Sequence, residues 1–237
     1  MNRNITKLSA LLAAASALSV ISTAPAGAEE PAMIRITDKA PVIDTTKNPG
    51  CGVTIKDKQG RIKRNADIAR FYFQQYAEMP QKHLKYSLGT YDCWADGLTI
   101  LSGSFSPPPA APQAMPLPLQ DRKPGEPDPF QKEALAWLVN APDQQAVPGT
   151  LRIIPWENGV NYSLMYSGTA QGQRFSFWEV GIMLINEDGK ITHYEMWNDS
   201  AAMENAFKLA FGRGFLENGG AEYGKAIDEM LEKKEKP

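Results

Sequence analysis

Four residues near the C-terminal end of the chain have the types and spacing that proton transfer requires. Glu179 sits in the middle of an otherwise apolar run, Arg174 to Ile185. Strand alternation puts Phe175, Phe177, Glu179, Gly181 and Met183 on one face, and Ser176, Trp178, Val180, Ile182 and Leu184 on the other. Burial among Phe and Met disfavours the charged form of a carboxyl, which suits Glu179 to acid–base work. A pairing with Arg152 or Arg174, or exposure at a sheet edge, is the alternative. In the run Ile191–Trp197, His193, Glu195 and Trp197 share a face with Ile191, while Tyr194 and Met196 lie on the opposite one. His193 and Glu195 have the spacing of a base and its orienting partner, or of a solvated pair. Tyr194 is the competing group, since a phenol donates to a developing oxyanion. Asp199 reads as a helix cap rather than a catalyst.

Aromatic residues surround these positions: Tyr72, Tyr76, Trp94, Trp137, Tyr162, Tyr166, Trp178 and Trp197. Many are core. Tyr72, Tyr76, Trp94, Tyr166, Trp178 and Trp197 are the candidates to line a pocket for an aromatic ligand bearing hydroxyl or carbonyl groups. Only two cysteines and two histidines are present, without metal-ligand spacing, so no metal is expected. No nucleophile-elbow, phosphate-loop or dinucleotide-binding pattern occurs, so no cofactor is expected either. With 25 Lys and Arg against 27 Asp and Glu, the net charge of −2 offers nothing to a polyanion, and nucleic acid is disfavoured as a partner.

The 237 residues are enough for one full domain with extensions. Asn65 is expected to cap a helix running to about Ala77, with Ile68, Phe71 and Tyr72 on its apolar face. A second short helix over His83–Tyr91 and a strand over Leu98–Leu101 follow. Nine of the 18 prolines fall between Pro107 and Pro129, which reads as a surface loop. Asp128-Pro129 then opens a helix carrying Trp137. From Gly149 the period changes to that of strands: Leu151–Pro155, Val160–Ala170, Arg174–Ile185 and Ile191–Trp197. Asn158-Gly159 and Asp188-Gly189 mark their turns, which gives an antiparallel meander. Asp199-Ser200 opens a helix that Gly212 closes. A charged helix over Ala221–Lys236 ends the chain.

Residues 1–28 have the form of a secretory signal peptide: basic Arg3 and Lys7, an apolar run Leu8–Ile21, and the small-residue site Ala26-Gly27-Ala28. The run is too short for a stable membrane anchor. Cleavage after Ala28 places the mature protein in the periplasm or outside the cell, with a charge of about −4. In that oxidising setting Cys51 and Cys93 are expected to pair, with two separate buried thiols as the alternative. Such a bridge stabilises by roughly 3–4 kcal/mol in the chain-entropy picture.

Helices followed by an antiparallel meander form an α+β plan. Trp94-Ala95-Asp96-Gly97-Leu98-Thr99-Ile100 resembles the F-A-D-D-A-V start of the first strand in SnoaL-type proteins of the NTF2-like superfamily. Gly189-Lys190-Ile191-Thr192-His193-Tyr194-Glu195-Met196-Trp197-Asn198-Asp199 resembles their D-G-K-I-V-E-H-W-E-Y-F-D ending, and Ala206–Gly212 the L-L-x-Q-L-G that follows. The resemblance covers residues 65–212. It leaves outside the family plan an extension over 29–64, a Pro-rich insertion over 105–129 and a helical tail over 213–237. The family's His position falls on Tyr194, with His193 one place earlier and therefore on the opposite strand face.

The resemblance implies an NTF2-like cone: a strongly bent antiparallel sheet packed against N-terminal helices and enclosing a pocket for a small apolar molecule. Enzymes of the family isomerise ketosteroids, close polyketide rings, open epoxides, dehydrate phenolic ketones or remove formaldehyde from lignin-derived diarylpropanes, typically without metal or organic cofactor. It therefore implies an exported lyase or isomerase acting by acid–base chemistry on a small aromatic molecule. The narrowest form is a formaldehyde-releasing lyase on lignin-derived aromatic dimers. The alternative is a non-catalytic module of the same fold that binds a small molecule or a protein. The row Val180, Ile182 and Leu184 on the convex sheet face points to a homo-oligomer.

Overall fold

The meander dominates the molecule because its strands are long, alternating and joined by short turns of two to five residues. The computed structural model describes residues 34–35, 43–77, 88–105, 110–114, 137, 139–212 and 214, and their side chains except at 34–35, 75–77 and 110–114. Its strands are β1 (Ile34–Arg35), β2 (Trp94–Ser104), β3 (Ala110–Ala114), β4 (Gln145–Ala146), β5 (Arg152–Trp156), β6 (Gly159–Ala170), β7 (Gln173–Ile185) and β8 (Ile191–Asn198). They form one sheet in the order β1-β5-β6-β7-β8-β2-β3, with β4 paired to β6. Among the described residues its helices are α1 (Lys58–Ala77) and α2 (Ser200–Phe211), with a 3-10 turn at Leu88–Tyr91 and helical residues at 137 and 139–140, where a helix carrying Trp137 is expected. The architecture is α+β, as the sequence predicts.

The sheet is mixed, however, and not wholly antiparallel. β2 and β8, which lie far apart in sequence, run parallel, a pairing that a hairpin could not make. The expected turn at Asn158-Gly159 falls one residue earlier. Trp156 pairs with Gly159 across a Glu157-Asn158 loop. Gly159 already belongs to β6, where an added Cβ would lie 2.1 Å from the Met183 carbonyl oxygen. Part of the Pro-rich insertion also joins the sheet. β3 contains Pro112, tolerable because β3 is an edge strand whose missing N–H costs the ladder nothing inside.

α1 begins seven residues before Asn65. Asp57 caps it, its Oδ1 accepting the Gly60 N–H at 2.6 Å. The segment 58–64 is polar and contains Gly60, so it reads as loop. Its arginines turn inward instead: Arg61 donates to the carbonyls of Ile55 and Lys56 and pairs with the Glu157 carboxylate. Arg64 donates to the carbonyls of Val53 (2.9 Å), Glu187 (2.5 Å) and Asn186 (2.7 Å). Asn65 is fully buried inside the helix and donates to the carbonyls of Trp156 (3.0 Å) and Glu157 (3.1 Å). Arg64 and Asn65 thereby tie both ends of the meander's turns to one helix. At the other end, Asp199 accepts the Ala202 N–H and caps α2, and Gly212 closes it with φ of 72°.

Cys51 and Cys93 form a disulfide that joins the segment before α1 to the start of β2. The expected signal segment 1–28, most of the second helix, the core of the Pro-rich loop and the tail helix lie outside the described residues. Among the described residues no helix is long and apolar enough to cross a membrane.

Candidate functional site

β7 divides its residues as alternation requires. Phe175, Phe177, Glu179, Gly181 and Met183 are buried; Ser176, Trp178, Val180 and Leu184 are exposed. The buried face is the one that α1 and α2 cover. Glu179 therefore belongs to the interior, at 7% exposure, and not to a surface ion pair with Arg152 or Arg174.

Three oxygens converge there. The Tyr162 hydroxyl lies 2.9 Å from Glu179 Oε1, the Tyr194 hydroxyl 3.3 Å from the same oxygen, and the two phenols 3.2 Å from each other. Each phenol carries one proton, so only two of these three contacts are hydrogen bonds at once when the carboxylate is ionised. The proton can thus be redistributed over the cluster without moving a heavy atom. Burial, first of all, pushes the phenol of Tyr162 well above the usual tyrosine value, and the neighbouring Glu179 charge pushes it further. Tyr194 is raised in the same way, by burial and then by Tyr162 and Glu179. Both remain protonated donors at ordinary pH.

The cluster depends on a glycine. Tyr162 is on β6 and Tyr194 on β8, with β7 between them. Tyr162 pairs with Gly181 of β7, and a Cβ at that glycine would lie 2.5 Å from the Tyr162 hydroxyl. The bare backbone lets the phenol lie across β7 and reach the next strand. From α1, Phe73 packs on Tyr162 (ring centroids 4.4 Å apart) and Tyr72 packs edge-on against Tyr194 (5.7 Å) and Trp94 (6.2 Å).

Of the residues singled out in the sequence, the interior face gathers Glu179, Tyr194, Tyr72, Trp94 and Tyr166, all buried. Tyr76 belongs to α1, with its side chain outside the described residues. His193, Glu195, Trp178 and Trp197 stand on the other face of the sheet. There His193 Nε2 lies 3.1 Å from Glu195 Oε2, and Trp197 Nε1 donates to Glu195 Oε1 at 2.6 Å. These bonds, the indole's first, hold the Glu195 carboxyl below its ordinary value. The paired His193 and Glu195 therefore exist, but the sheet separates them from Glu179 and Tyr194. Tyr162 is the site residue that the sequence reading passed over. Its signal is the cross-strand glycine, visible only once the β6–β7 register is known.

Among the described residues no group of three or more His, Cys, Asp or Glu could hold a metal ion. No protein-family model matches the chain, and no curated protein matches it. Among solved structures, the chain is similar to a phenazine biosynthesis-related protein of Pseudomonas aeruginosa at 12% identity and a TM-score of 0.43, over 65% of this chain and 87% of that one. It is also similar to PrhC of Penicillium brasilianum at 8% identity and a TM-score of 0.40, over 72% and 96%. Both likenesses are too remote to assign a family.

Proposed function

We propose that the chain is an exported SnoaL-like enzyme of the NTF2-like fold, its sheet bent into a cone, that acts as a lyase or isomerase on a small aromatic molecule. One observation carries this reading: a carboxyl group on the covered face of the sheet, in contact with two protonated phenols. The cluster offers a base and two acids within one hydrogen-bond length, in an apolar, aromatic setting. That is the equipment for moving a proton from one ligand atom to another. Residues 65–212 form the catalytic unit, and the Cys51–Cys93 disulfide supports export to an oxidising compartment.

The narrower proposal is removal of formaldehyde from lignin-derived diarylpropane diols. The substrate's phenolate expels the benzylic hydroxyl, and that hydroxide leaves as water with the phenol's proton. Glu179 then takes the proton of the terminal hydroxyl. The carbon–carbon bond breaks, formaldehyde departs, and its electron pair restores the aromatic ring as phenolate. Glu179 returns the proton to that phenolate, so the ledger of atoms closes on one stilbene, one water and one formaldehyde. The test is to incubate the mature protein with several such diols and assay formaldehyde. Release above the no-enzyme control is expected. Its absence with every diol removes the narrower proposal, and absence of turnover with aromatic hydroxy-ketones as well leaves a binding module.

The outer face favours a second copy of the chain as partner. Trp178, Val180, Leu184 and Ile154 are 38%, 38%, 39% and 37% exposed on β7 and β5. A sheet face of this kind is self-complementary across a two-fold axis. Light scattering after gel filtration is expected to give a dimer, and Val180→Lys a monomer. A wild-type monomer at tens of micromolar removes this part of the proposal.

A further inference from the structure

Asn198 is the last residue of β8, 1% exposed, and neither its amide nitrogen nor its amide oxygen has a hydrogen-bond partner among the described residues. A buried carboxamide ordinarily satisfies both ends, because stripping it of water without replacement is unfavourable. Its surroundings on the sheet are polar. Asn198 pairs directly with Glu179 across β7 and β8, which sets their Cβ atoms about 4.5–5.5 Å apart on the same face. On its other side it pairs with Ser104 of β2. The Ser104 hydroxyl is bonded to that of Ser200 and makes no hydrogen bond to the Asn198 amide. An unsatisfied donor–acceptor pair thus lies next to the carboxyl of the proton-transfer cluster.

We infer that Asn198 is the polar anchor of the ligand, taking an oxygen acceptor on Nδ2 and a hydroxyl donor on Oδ1, and so selects aromatic molecules that carry two oxygens side by side. The inference rests on the proposed reading of the Glu179 site and adds the ligand's recognition group to it. A carboxamide presents its donor and acceptor along one edge, the geometry by which Asn grips an adjacent acceptor and donor elsewhere. A ligand with oxygens on carbons one and three meets both, whether as a 1,3-diol or as a β-hydroxy-ketone. Its carbonyl or benzylic oxygen lies on Nδ2, and its terminal hydroxyl lies between Asn198 Oδ1, to which it donates on binding, and Glu179, to which it turns its proton for transfer. Asn198 is then a binding residue rather than a proton carrier.

Two probes separate the possibilities: 3-hydroxy-1-phenylpropan-1-one and propiophenone, which lacks only the hydroxyl. Binding is followed by tryptophan fluorescence, together with melting temperature, for the wild type, Asn198→Leu and Glu179→Gln. The wild type is expected to bind the hydroxy-ketone about tenfold more tightly than the ketone. Asn198→Leu is expected to lose that preference and to melt at the wild-type temperature or above, because an unsatisfied amide has been replaced by apolar volume. Glu179→Gln is expected to keep it. Preference retained in Asn198→Leu overturns the inference and leaves the Glu179 reading standing. So does a fall of several degrees in its melting temperature, which would show that the amide has a structural partner. Failure of the wild type to bind either probe overturns both.

Discussion

Glu179→Gln is expected to lower kcat by about 10²- to 10⁴-fold, the range for loss of a positioned acid–base group, while leaving the fold intact. The amide oxygen of Gln still accepts from Tyr162 and Tyr194, which now lie 2.9 and 3.3 Å from the carboxylate. What it cannot do is take up a proton. The variant should therefore keep its melting temperature within a few degrees and its binding of substrate within a small factor, with the loss confined to turnover. Steady-state kinetics on any substrate found by the formaldehyde or hydroxy-ketone assays checks this. Turnover within threefold of wild type would exclude Glu179 as the base.

Alkali should destabilise the protein through the same cluster. Tyr162 and Tyr194 hold their protons well above the ordinary tyrosine value of 10.0 in the folded state. Below pH 10 both folded and unfolded chains are protonated at these phenols, and their contribution to stability is complete. Above pH 10 the unfolded chain releases two protons that the folded chain retains. Stability then falls by about 1.4 kcal/mol per pH unit for each phenol, or about 2.7 for the pair, until the folded values are reached. Urea unfolding between pH 8 and 11.5 measures the slope. The double variant Tyr162→Phe/Tyr194→Phe supplies the reference, since it retains every other titrating group. Its stability should decline less steeply by that amount. Equal slopes would mean that water reaches both phenols.

The face assignments of β7 and of His193–Asn198 in β8 are legible in the sequence because alternation fixes them: one apolar face with a single carboxyl, and Tyr194 one place from His193. Ile191, read onto the His193 face, instead lies buried opposite Ile185 because the register shifts there. The aspartate cap and glycine stop of α2 are local signals of the same kind. What escapes depends on contacts between distant segments. Lys58–Arg64 reads as loop because the distant partners of its arginines come from the strand turns: the Glu157 carboxylate for Arg61, and the carbonyls of Asn186 and Glu187 for Arg64. Asn65 has the residue type of a cap, yet its amide serves the β5–β6 turn. The parallel pairing of β2 with β8 joins segments with no hairpin to announce it. Tyr162 looks like any core tyrosine until the register sets it opposite Gly181, and Asn198 looks like a strand end until its neighbours are counted.

The crossing of Tyr162 over Gly181 constrains how the chain can diversify. Three adjacent strands share a floor whose thickness is set by the absence of a single methyl group, so enlarging position 181 would unseat a phenol and break the proton cluster together. The roof differs: Tyr72 and Phe73 come from one helix and pack on the phenols through ring edges and faces. Variation in what the protein accepts is therefore to be sought, and engineered, in the helix above, while the sheet beneath stays as it is.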